Sequence, residues 1–186
     1  MRARSIVRRP LTFSLLWAIA TFLIGCAVQP QRMVVQQAAV PVSARLFGKM
    51  AIEDVTGDKA ATATSSVAAI SDSALRTALS ESLQQLGYLS STPEAAAIVL
   101  RVGVVDVEKP QEANLDISVF TIIRYAVATR DGGKPIFDEL ITASCTRTIS
   151  DDLSGYMRMR HAEECAVSSN VASFLTRFSA SSLTGP

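Results

Sequence analysis

Between Ser71 and Tyr88 the chain reads SDSALRTALSESLQQLGY, and Leu75, Ala78, Leu79, Ser82, Leu83 and Leu86 recur at i, i+3, i+4, i+7, i+8 and i+11. This spacing is one face of a 3.6-residue helix. Ser71 or Asp72 can cap its first amides, and Gly87 stands where a left-handed residue closes a helix. A second stripe through Val167, Val171, Phe174, Leu175 and Phe178 predicts a helix over 157–178. Its first turns are weakly patterned, because Arg160 and Glu164 fall on the apolar side.

The remaining apolar stretches alternate instead. A first strand is predicted over 44–55, ended by Gly57, and a second over 97–108, stopped by Pro110. The stretch DISVFTIIRYAVATRDGGKPIFDELITASCTRT holds two long strands around Asp131-Gly132-Gly133, whose glycines permit a tight antiparallel reversal. The Ala- and Thr-rich DKAATATSSVAA after the first strand reads as a loop. The order β-α-β-β-β-α, with two one-faced helices, predicts an α+β fold: a two-layer sandwich with both helices on one face of a four-stranded, mainly antiparallel sheet.

A sheet face left to water alternates to polar residues. With Leu115, Ile117, Val119, Ile123 and Tyr125 turned to the helices, the opposite side carries Phe120, Ile122 and Ala126, flanked by Val105, Val107 and Leu140. Two readings fit. Either a partner, a second copy or the loop around residues 60–70 covers this face, or the strands are rich in β-branched residues because they are central.

The amino terminus has a different texture. Arg2, Arg4, Arg8 and Arg9 precede an uncharged run over 11–25, which is the layout of a secretory signal peptide and too short for a spanning helix. The run ends in Leu23-Ile24-Gly25-Cys26, which resembles the lipobox of bacterial lipoproteins. That resemblance implies diacylglycerol on the Cys26 thiol, cleavage before it and acylation of the new amine; two or more acyl chains anchor stably. Ala27, rather than Asp, implies the outer membrane. The domains expected are a signal peptide (1–25), a lipidated flexible tether (26–43), one folded domain (44–178) and a disordered tail (179–186). Removing 1–25 takes four basic residues and no acidic one, so net charge falls from +1 to −3, with 14 basic against 17 acidic residues left. A mildly acidic domain lacks the footprint of a nucleic-acid binder.

A lipobox, a tether, then strand, helix, three strands and helix is similar to the small envelope-assembly lipoproteins, among them the lipopolysaccharide-transport lipoprotein that plugs its barrel. The stretches GKMAIEDVTG, ALRTALSESLQQLGYL, AAIVLRVGVVDVEKP and YAVATRDGGKPIFDE also resemble an uncharacterised group of bacterial lipoproteins, some labelled acyltransferases. The resemblance implies fold and address, and transfers no site residues.

Two cysteines remain after lipidation, Cys145 and Cys165. An oxidising compartment invites a disulfide between them. Against it, Cys165 lies far round its helix from Val167 and Val171, and two separate thiols satisfy the sequence equally well. His161 is the only histidine and reads, with Glu163 and Glu164, as helix surface. No nucleophile elbow, phosphate loop, dinucleotide fingerprint or metal-spaced cluster is present. The sequence therefore predicts no enzyme, no metal and no cofactor. It predicts a periplasm-facing outer-membrane lipoprotein that assists an envelope protein complex, through a protein partner or self-association. The alternative is a carrier or sensor of a small amphiphile such as a lipid or glycolipid.

Overall fold

The computed structural model describes residues 28–36, 41–57, 70–111, 114–132 and 135–184. In chain order they form a short helix α1 (Pro30–Met33), strand β1 (Met50–Thr56), helix α2 (Asp72–Gln85), the strands β2 (Ile98–Glu108), β3 (Ile117–Thr129) and β4 (Pro135–Arg147), and a long helix α3 (Gly155–Thr184). The sheet order is β1-β2-β3-β4. β1 and β2 run parallel, joined through α2, while β2–β3 and β3–β4 are antiparallel. α2 packs against β1, and α3 against β3 and β4. This is the α+β arrangement that the hydrophobic pattern predicts, with α1 added over the helices.

The local signals explain the ends of α2. Ser71 is its N-cap, its hydroxyl accepting from the Ala74 amide, and Asp72 reaches back to accept from the Gly57 amide. Gly87 follows with φ +71°. Gly57 has a second constraint: a Cβ there would stand 2.3 Å from the Ile70 carbonyl oxygen, so any side chain would push apart the two chain segments that meet at this point.

The core lies between the layers. Met50, Val55, Leu100, Val102, Ile123, Tyr125, Val127, Phe137 and Ile141 of the sheet meet Leu75, Ala78, Leu79 and Leu83 of α2 and Val167, Val171, Phe174, Leu175 and Phe178 of α3. Tyr125 stacks on Phe174 with ring centroids 4.2 Å apart, and Phe137 meets Phe174 and Phe178 edge-on at 5.7 Å. Asn170 is the polar centre. Its amide nitrogen donates to the carbonyls of Ile141 (2.7 Å) and Thr121 (3.1 Å), and its oxygen accepts from the Tyr125 hydroxyl at 3.0 Å. A buried amide with its bonds made fixes the register of helix on sheet at low cost. Burial also pushes the Tyr125 phenol far above its ordinary range, so it serves only as a neutral donor.

Four sequence expectations are corrected. The strand expected over 44–55 begins only at Met50: Ala44–Leu46 is a 3-10 turn that buries Leu46, and Gly48 at φ +64° turns the chain before β1. Leu115 does not face the helices. It precedes β3 and is 69% exposed. The second long helix runs to Thr184, so a disordered tail from 179 is not what forms; Ser179 is buried, its hydroxyl 3.0 Å from that of Tyr88. Finally, the flexible tether over 26–43 is fastened to the fold at several of its described residues, although Gln36, Pro41 and Val42 are exposed. Val28, Met33 and Val35 belong to the main core, and α1 contacts both α2 and α3. The Gln29 amide donates to Glu164 Oε1 (2.7 Å), the Val35 amide to Ser82 Oγ (2.9 Å) and the Ser43 amide to the Tyr88 hydroxyl (2.7 Å). The Gln- and Pro-rich composition hides a segment held by single backbone amides, which leave no hydrophobic period to read.

Candidate interaction surface

Among the described residues none covers the face of the sheet opposite the helices; residues 58–69 of the loop expected to reach it lie outside them. Three large apolar side chains stand on this face: Val105 on β2 (58% exposed), Phe120 on β3 (43%) and Leu140 on β4 (59%), with Ile122 half-buried between them. Val107 is not among them. Val104 pairs with Ile123 and Asp106 with Ile122, so Val105 is a bulge and every later residue of β2 changes side. Val107 consequently points inward, against the cluster of Ile117, Val119, Met159, Ala162 and Ala166, and the predicted surface loses that member.

Two ion pairs interrupt the apolar positions. Arg101 donates to Glu53 Oε2 at 2.8 Å, and Arg124 grips both oxygens of Asp138 at 2.8 and 2.7 Å. The Arg124 bonds hold the Asp138 carboxyl below its usual range, and Glu53 and Asp138 raise their arginines in return. Between Arg101 and Arg124, Gly103 of β2 has open space where a side chain would be. The result is a trough of about 460 Å³, floored by Gly103, Val99 and Ala126 and walled by the two arginines. It is apolar along its base and charged at its rim, and it offers guanidinium groups that are already paired.

Cys26 and the motif residues Leu23, Ile24 and Gly25 lie outside the described residues. Cys145 and Cys165 form a disulfide with Cα atoms 5.7 Å apart. Cys145 pairs with Val119 on the helix side of β4, an edge strand. α3 lies along that edge, so a flank of the helix well away from the Val167–Val171 stripe still reaches it.

The carboxylates read as helix surface are interior. Glu163 and Glu164 are 0% and 1% exposed, and Arg158 and Arg160 4% and 3%. Glu164 bonds Arg160 at 3.0 Å and faces Arg32 at 3.7 Å, and Lys109 stands 3.9 Å from Glu163. Residues 160, 164, 167 and 171 form one helical face. The signal was therefore visible: Arg160 and Glu164 continue the apolar stripe, and the amino-terminal segment covers them. His161 sits beside this cluster, its pKa lowered by desolvation and then by the charge of Arg32. Among the described residues no group of His, Cys, Asp or Glu side chains could hold a metal ion, and no helix is long and apolar enough to cross a membrane.

No family model matches the chain, and no curated protein does. Among solved structures, the fold is similar to that of a Xanthomonas campestris protein of family DUF330, with a TM-score of 0.54 at 8% identity over 81% of this chain and 94% of that one. A minor lipoprotein from Acinetobacter baumannii overlays with a TM-score of 0.47 at 16% identity, covering 75% of this chain and 94% of its own. The likeness to the DUF330 protein is one of fold.

Proposed function

We propose that this chain is a lipid-anchored protein of the bacterial outer membrane that works by binding, as an accessory or assembly factor of an envelope protein complex, with the sheet face opposite the helices as its partner surface. The observation that carries the reading is Val105, Phe120 and Leu140 exposed together on three adjacent strands. Burying such side chains against a partner supplies about 1.5–3 kcal/mol each, and Arg101, Arg124 and their carboxylates supply a polar rim. The anchor rests on the Leu23-Ile24-Gly25-Cys26 motif after an uncharged run. The test compares membranes solubilised in mild detergent from cells carrying the native chain, Phe120→Glu with Leu140→Glu, or Cys26→Ser. A stoichiometric envelope partner lost in the double variant, with its melting temperature unchanged, supports the surface. Undiminished recovery by a folded double variant removes it.

The trough over Gly103 favours a second reading, in which an amphiphile lies along Val99 and Ala126 with its headgroup at the rim. The space between helices and sheet is filled by Tyr125, Phe137, Phe174 and Phe178, so such a ligand belongs outside. Native mass spectra of the domain with a copurifying mass, lost on Gly103→Leu, would support it.

A further inference from the structure

The three hydrogen bonds of the amino-terminal segment give it a direction. Gln29 is tied to Glu164, Val35 to Ser82, and Ser43 to Tyr88, whose hydroxyl meets Ser179. From 29 to 43 the chain thus travels along α3 from Glu164 towards Ser179, a rise of about 22 Å over a separation of 15 residues. Its upstream end therefore lies on the side of the amino terminus of α3.

That end of the domain carries the two most exposed large apolar side chains among the described residues, and a third beside them. Leu153 is 86% exposed, Leu115 69% and Ile149 46%. The register brings them to one place: Ile117 pairs with Arg147, so Leu115 and Ile149 each lie two residues beyond that pair at the same sheet end. Buried Arg158 fastens their loops together, donating to the carbonyls of Asp152 (2.6 Å) and Leu153 (3.1 Å) on one side and of Asn114 (2.9 Å) on the other. Thr148 further ties down its loop by donating its amide to Asp151 at 2.7 Å. The apolar side chains are held outward by a stapled frame.

We propose that this end of the domain lies on the phospholipid bilayer, with Leu115, Ile149 and Leu153 set among the headgroups beside the acyl chains of Cys26. The inference rests on the anchor proposed above. Cys26 is two residues upstream of the packed Val28, a chain length of about 7 Å at most. Glu164, where the segment docks, is nine residues and about 14 Å from the start of α3. A chain of that length, continuing in the direction of the described segment, would bring the anchor to the level of the apolar tip to within several ångströms. The mild acidity of the mature chain makes this contact apolar and chain-fixed rather than a charge attraction.

Trp17 is the only tryptophan and leaves with the signal peptide, so a new one reports alone. Lipidated Leu153→Trp and Leu140→Trp proteins, purified from membranes, would be placed in phosphatidylethanolamine and phosphatidylglycerol vesicles containing doxyl-labelled phosphatidylcholine. The expected result is a blue-shifted Leu153→Trp emission that loses most of its intensity to the quencher, with Leu140→Trp unaffected. Vesicle flotation with an unquenched Leu153→Trp overturns the bilayer contact and leaves the anchor standing. Quenching at Leu140→Trp alone overturns it in favour of the sheet face. Failure of the native protein to float, as with Cys26→Ser, overturns the anchor and the contact together.

Discussion

The two halves of α3 bury their inner faces by different means. From Val167 to Phe178 the helix lays Val171, Phe174, Leu175 and Phe178 against the sheet, with Asn170 as the single polar insertion. From Arg158 to Glu164, Met159 and Ala162 still pack on apolar neighbours, but Arg158, Arg160, Glu163 and Glu164 are equally buried, with Arg32 and the Gln29 amide meeting Glu164 and Lys109 facing Glu163. One half draws its stability from area removed from water. The other half depends on partners, because a buried charge without one is strongly unfavourable. The same helix therefore tolerates quite different changes along its length.

The sharpest break falls in the apolar half. Phe174→Ala removes the ring stacked on Tyr125 and met by Phe137 and Phe178, and should cost about 4 kcal/mol, read as a lowered denaturant midpoint. At the junction of the halves, Cys145→Ser with Cys165→Ser opens a loop of separation 20. A loss of about 3 kcal/mol is expected, and an unchanged thermal midpoint would show the bond to be dispensable. In the charged half, Glu164→Gln keeps the shape but weakens the acceptor shared by Gln29 and Arg160. About 2 kcal/mol should be lost, together with faster amide hydrogen exchange at Gln29; exchange unaffected there would separate the segment from the cluster.

The smallest effect is a matter of pH. His161 has its pKa lowered from 6.5, first by desolvation and then by Arg32, so the unfolded chain takes up the proton before the folded one does. Well above that ordinary value both states are neutral and His161 contributes nothing. As pH falls through it stability declines, until pH passes the lower folded-state value and the loss levels off. His161→Gln should flatten that part of the profile, read as unfolding midpoints between about pH 5 and 8. The apolar half should show no such dependence.

Much of this was legible in the chain. α2, the β3–β4 hairpin and the apolar half of α3 announce themselves by period, because there the pattern of burial is itself the cause of the structure. What the period misses has other causes. The bulge at Val105 reverses Val107 through one unpaired residue that no alternation records. Thr121 breaks the inward series of β3 yet is buried, since Asn170 meets it from the other layer. The amino-terminal segment is held by Gln29, Val35 and Ser43 through backbone amides, and a backbone donor leaves no trace in a sequence. Arg160 and Glu164 stood on the apolar side all along, but charged residues look solvated until their cover is known.

That cover also decides how the molecule responds to force. With Val28 and Val35 in the core and the Gln29 amide on Glu164, a pull applied at Val28 finds packed chain and no slack. It meets the longest helix almost at once, and the first bond to yield is the one that shields a buried carboxylate. Tension at Val28 would therefore reach the interior as a change in charge environment before any strand moved, making this end of the domain a mechanical input.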